Sequence, residues 1–209
     1  LSSIFAAAAN ANSTEEEYST KEARRAQLME WAQTKYKASS HNTHKAYWII
    51  GDTAVNGCKA EYSNYMVDFK NHSNDKGKSI NNFILPAIVR YLYQFEHCLS
   101  KQNIAVLKDF LEKGPCCDNN DFFGHGTLNH AILKASSWYL LAQYFDNDTW
   151  IRKSEGEYTS KEVKSNIYDK LVARFSQHKQ TGHYEMASPN YIEVNFFPLL
   201  NLIDFAEDD

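Results

Sequence analysis

The chain lacks most of the patterns that would name an activity at once. It has no run of about 18 apolar residues, so no segment reads as a membrane-spanning helix. It has no excess of basic residues: the formal charge is −4, which disfavours a general nucleic-acid binder. It contains no G-x-S-x-G, no phosphate-cradling P-loop and no H-E-x-x-H. Alternation of apolar and polar residues at period two is almost missing, which leaves little room for sheet. Cysteine is sparse. Cys58, Cys98, Cys116 and Cys117 do not form a spaced zinc pattern, because Cys116 and Cys117 are adjacent. One or two disulfides and free buried thiols both fit, so cysteine leaves the compartment open. His125 and His130 stand five apart rather than four, off a shared helix face. No metal and no cofactor is expected.

What is present is a helical pattern. With 43% hydrophobic residues in 209, the chain can pack a core and is expected to form one domain, or a piece of a larger one. Residues 1–18 read as a flexible or leader-like N-terminus, since LSSIFAAAA resembles the tail of a secretory signal while lacking its basic start. The sequons at Asn12, Asn71 and Asn147 are near the chance level in an Asn-rich chain. Ser19-x-x-Glu22 predicts a capping box ahead of a helix. AYWIIGDTAVNG predicts a helix broken near Gly51 or Gly57, and 70–79 a polar loop. Ile80, Phe83, Ile84, Ala87, Ile88, Tyr91 and Phe95 predict a helix, and IAVLKDFLEK an antiparallel partner ended by Gly114 and Pro115. The helix expected over 127–145 is apolar on more than one face and should be central. A polar loop at 146–158 precedes a second capping box, Thr159-x-x-Glu162, with Ile167, Leu171 and Phe175 inward.

The stretch around which the rest is organised is GHYEMASPNYIEVNFFPLLNLIDFA, from Gly182 to Ala206. A polar turn delivers His183, Tyr184 and Glu185 to the mouth of an apolar helix. That helix is expected to bury Ile192, Phe196, Leu199, Leu200 and Ile203. A second polar cluster, His125, Asn129 and His130, opens the central helix, where free N–H groups favour an anion. In alternating helix pairs both clusters can fall on one rim. Taken singly, each of these residues fits a structural role as well as a functional one. Tyr47, Trp48, Phe122, Phe123, Trp138, Tyr184 and Tyr191 are candidate stacking surfaces for sugar rings, with core packing as the plainer role for any one of them. The fold class is all-α, built of consecutive antiparallel helical hairpins; a bundle, a solenoid or an α/α toroid all fit.

FFGHGTLNHAILKASSWYLLAQYF followed by TGHYEMASPNYIEVNFFPLLNLIDFA resembles the central part of α/α-toroid polysaccharide lyases, over roughly residues 120–206. The resemblance implies a partial or truncated (α/α)n toroid that cleaves an acidic polysaccharide or oligosaccharide by β-elimination, secreted or periplasmic, with no cofactor. It implies that Asn129 neutralises a uronate carboxylate. His130 or a tyrosine would take the α-proton, and Tyr191 or Tyr184 would protonate the leaving oxygen. His125, His183, Phe123, Trp138 and Arg174 would bind substrate. Arg174 is the nearest upstream arginine to Tyr191, where the family places an assisting one. A glycoside hydrolase with Glu185 as general acid is the alternative, its second carboxylate being Asp121 or Glu193. A non-catalytic sugar-binding or scaffold domain is the third.

Overall fold

A computed structural model describes residues 20, 22–24, 26, 27, 30, 42–74, 79–113, 128–146, 149–152, 156–182 and 189–207. The described residues are mostly helical, so the all-α expectation holds at the level of class. The chain divides into two compact units, Leu1–Gly57 and Cys58–Asp209.

In the first unit, Thr20 caps a helical turn by accepting the Ala23 N–H on its hydroxyl at 3.1 Å. Ser19, the expected cap, lies outside the described residues. Helix α1, Asn42–Asn56, runs unbroken through Gly51 and buries Ala46, Ile49, Ile50 and Thr53 at helical spacing. It stops at Gly57, whose φ of 81° suits a residue without Cβ and whose N–H returns to the Thr53 carbonyl.

The second unit begins with two short helices, α2 (Ala60–Met66) and α3 (Phe69–His72), and a minimal hairpin of β1 (Ser73–Asn74) and β2 (Ser79–Ile80). The helix expected from Ile80 starts later, as α4 over Leu85–Gln94. Ile80 is held in β2, and the Asn81 side chain turns the chain by accepting the Phe83 N–H. After a 3₁₀ turn at Glu96–Cys98, helix α5 covers Lys101–Lys113. Ser100 opens it: the hydroxyl accepts the Asn103 N–H while the Ser100 N–H donates to Asn103 Oδ1. This is a capping box with Asn in the place of Glu. Helix α6 covers Leu128–Tyr144 and is buried continuously from Ala131 to Gln143, as its two apolar faces imply. The expected polar loop after it is an antiparallel hairpin, β3 (Thr149–Arg152) with β4 (Gly156–Thr159). The Thr159–Glu162 capping box forms as read and starts α7, Ser160–Thr181. Helix α8 covers Pro189–Phe205.

Hydrogen-bond partners fix how these helices run. Between the α4 segment and α6 the sequence separation stays nearly constant, 48 for Asn82–His130, 47 for Tyr93–Leu140 and 50 for Tyr93–Gln143. Between α4 and α8 it is 115, 111 and 114, for Pro86–Asn201, Arg90–Asn201 and Arg90–Asp204. Between α6 and α8 it is 62 for Gln143–Phe205. Constant separation means that partner numbers rise together, so α4, α6 and α8 are parallel. Helix α7 runs the other way: Ser160 reaches the Phe145 carbonyl and Lys164 lies over the Tyr139 ring. Three parallel helices are thus linked by returning segments, with α7 packed antiparallel on α6.

Two faces differ from the sequence reading. On α8, Phe196 is 57% and Ile203 71% exposed, while Pro198 and Asn201 are buried. The helix is rotated because α4 presents a buried cation, Arg90. Its guanidinium takes Asn201 Oδ1 and Asp204 Oδ2, both at 2.8 Å, and Gln94, and lies over the Phe205 ring. An unpaired buried guanidinium is costly, so Arg90 draws Asn201 and Asp204 inward against the apolar pattern. On α7, Ile167 and Leu171 are buried as expected, but Phe175 is exposed.

Candidate functional site

Parallel helices gather their N-termini at one end, and Asn129 and His130, singled out by sequence, lie at that end. Asn129 and His130 open α6. Asn82 and Phe83, in the turn before α4, meet them: Asn82 Nδ2 lies 3.3 Å from His130 Nδ1, and the Phe83 ring packs edge-on to the imidazole at 4.9 Å. The Asn82 amide and His130 Nδ1 share this hydrogen bond, which fixes the orientation of the imidazole. Asn82, Phe83 and His130 are all half-buried, at the boundary between core and solvent.

Asn129 is placed differently from its expected role. It is fully buried, and its Oδ1 accepts the His130 N–H at 2.9 Å, holding the start of α6. That engagement suits a residue that positions His130 more than one that meets a substrate directly. One turn further along α6, on the face of His130, lies Lys134, 7% exposed. It is a cation inside the parallel cluster, and sequence reading passed over it.

Tyr191 belongs to the first turn of α8. The separation of 62 that relates Gln143 to Phe205 at the far end, counted from Asn129, falls on Tyr191. That count places Tyr191 and Asn129 both in the first turn of their parallel helices. Glu193 lies on the same helix. Three helix N-termini at one end also sum their dipoles, each about half a positive charge, in favour of an anion.

Other candidates are sorted by the fold. Trp138 is 0% exposed in the middle of α6, so it is a core residue and not a sugar platform. Tyr47 and Trp48 lie within α1 of the other unit. Arg174 is half-buried on α7 and follows Ile167 and Leu171 at i+7 and i+3, on the stripe that faces α6. The antiparallel pairing of Lys164 with Tyr139 carries it toward the His130 end, though on the α7 side. Phe122, Phe123, His125, His183, Tyr184, Glu185 and Asp121 lie outside the described residues.

The opposite end, at the helix C-termini, is a closed polar network. Tyr93 OH donates to the Leu140 carbonyl at 2.7 Å and accepts from Gln143 Nε2 at 3.1 Å. Gln143 Nε2 also donates to the Phe205 carbonyl, and its Oε1 accepts the Glu207 N–H. Burial pushes the phenols of Tyr93 and Tyr144 far above the ordinary tyrosine range; the Gln143 hydrogen bond partly offsets this for Tyr93, and the Glu96 hydrogen bond adds to it for Tyr144. Neither ionises at a working pH. These groups fasten helices and are not poised for chemistry.

Compared with family models, with curated proteins and with solved structures, the chain finds no match.

Proposed function

We propose that this protein is a polysaccharide lyase-like, carbohydrate-active domain of the α/α-toroid kind, acting on an acidic polysaccharide at the N-terminal end of α4, α6 and α8. One observation carries the reading. Asn82 and Phe83 meet His130 at the rim where the parallel register also brings the start of α8, the helix of Tyr191.

In β-elimination a proton α to a uronate carboxylate is removed while charge builds on that carboxylate, and preorganised donors must receive it. His130 acts as such a donor in this reading, and Lys134, one turn along α6, adds positive charge in a largely buried setting. The convergent helix dipoles act in the same sense. Asn129 and Asn82 position the imidazole, one through the backbone of α6 and one through Nδ1. Tyr191 takes the α-proton and returns it to the leaving glycosidic oxygen, with Tyr184 as the other tyrosine that can serve. Lys134 occupies the cationic role that the resemblance assigns to an arginine.

The test is ultraviolet absorbance of the unsaturated uronate product on a panel of acidic polysaccharides. Wild type, His130→Ala and Tyr191→Phe are compared. A rise in wild type that both variants lose supports the reading. Reducing ends without that absorbance would move the assignment to hydrolysis, and binding without either product to a sugar-binding module.

A further inference from the structure

Cys58 and Cys98 form a disulfide across 40 residues, and the His97 imidazole lies with them: the Sγ atoms and a ring nitrogen are all within 4.8 Å of one another. Adjacency of His97 and Cys98 does not require this, since neighbouring side chains of a 3₁₀ turn point about 120° apart. The cluster is accessible, with Cys58 and His97 exposed and Cys98 half-buried.

What holds the two cysteines close is not only their bond. The Cys98 carbonyl accepts Ser63 Oγ at 2.7 Å, and Ser63 in turn meets Tyr91 OH at 3.4 Å, a buried contact between α2 and α4. Asn64 accepts from Asn103 Nδ2, tying α2 to the start of α5. Tyr62, Ser63 and Met66 bury α2, which begins two residues after Cys58. These contacts fix the backbone on both sides of the bridge, where the Cα atoms are 5.2 Å apart. None of them involves a cysteine side chain, so breaking the S–S bond removes none of these partners.

We propose that the reduced cluster, Cys58, Cys98 and His97, is a binding site for a thiophilic divalent cation such as zinc, exclusive of the disulfide form. A dithiol reductant supplies two electrons and two protons, the S–S bond opens to two thiols, and the reductant leaves as its own disulfide. An incoming aqua zinc ion then displaces both thiol protons to solvent. It is held by two thiolates and one imidazole, with water as the fourth ligand. Donor atoms around tetrahedral zinc stand about 3.5–3.8 Å apart, a spacing that small rotations of freed side chains reach from the present positions. Two thiolates cancel the charge of the ion, so an exposed site of this kind needs no further carboxylate.

The test uses the full chain carrying Cys116→Ser and Cys117→Ser, so that only two thiols remain. The protein is reduced, freed of reductant without oxygen and titrated with cobalt(II), a coloured stand-in for zinc. One equivalent should develop a thiolate-to-cobalt charge-transfer band that zinc bleaches, and the oxidised protein should show none. His97→Ala should weaken the affinity by about tenfold or more, the scale seen even when a group behind a ligand is removed. Far-ultraviolet circular dichroism should show the reduced protein still helical. The proposal is overturned by absence of the band, by a band indifferent to His97→Ala, or by loss of helix on reduction.

Discussion

The two ends of the parallel helices are built from similar residues that make different contacts. At the C-terminal end, Arg90, Tyr93, Gln143, Asn201 and Asp204 satisfy one another across three helices. At the N-terminal end, Asn82 meets a half-buried His130, Asn129 is fully buried, and Lys134 follows one turn along α6. Polar residues in a helical core lock helices together where their hydrogen bonds cross from one helix to the next, as at the C-terminal end.

The comparison can be broken first at the locked end. Arg90→Ala leaves Asp204 buried without its cation and should cost about 3–5 kcal/mol in urea unfolding. Arg90→Met combined with Asp204→Leu should recover most of that loss, since both charges are then gone. Replacing Cys58 and Cys98 by Ser should cost about 2–4 kcal/mol, because the bridge closes a 40-residue loop. The N-terminal end should respond in the reverse sense if the proposed function holds there. His130→Ala should lower unfolding stability by only about 1 kcal/mol while abolishing at least ~100-fold of any eliminase activity.

A smaller test lies at the start of α7. Thr159→Ala should cost about 1 kcal/mol through the lost cap. Backbone and hydroxyl hydrogen bonds from Thr159 hold the exposed Glu162 carboxyl below its ordinary value. A carboxyl with a lower pKa folded than unfolded stabilises above the ordinary carboxylate range. That contribution fades as pH falls through the folded pKa. Glu162→Gln should therefore flatten the acid side of the stability profile and leave neutral pH less affected by further acidification. Smallest of all, Phe196→Ser and Ile203→Ser, on the exposed face of α8, should each stay within about 0.5 kcal/mol.

Local signals were legible in the sequence and long-range ones were not. The Thr159 box, the end of α1 at Gly57 and the buried course of α6 follow from residues within a turn or two of each other. The outward face of α8 was misread because its orientation is set by Arg90, more than a hundred residues earlier. The hairpin at 149–159 hid in a polar stretch because its strands are short and it packs on α5, a long-range contact that no local pattern shows. The place of Asn129 and His130 at a helix start was legible. Asn82 and Phe83 were missed, since nothing local ties them to a histidine 48 residues away. The same holds for Cys58 and Cys98, whose pairing depends on α2 packing beside α4.

The most direct measurement of the central claim is product absorbance on acidic polysaccharides, with His130→Ala set beside Arg90→Lys, a variant at the other end. The account predicts an unsaturated product from wild type, retained in folded Arg90→Lys and lost in equally folded His130→Ala. A wild-type trace that stays flat across the panel, or activity that survives His130→Ala, would contradict it.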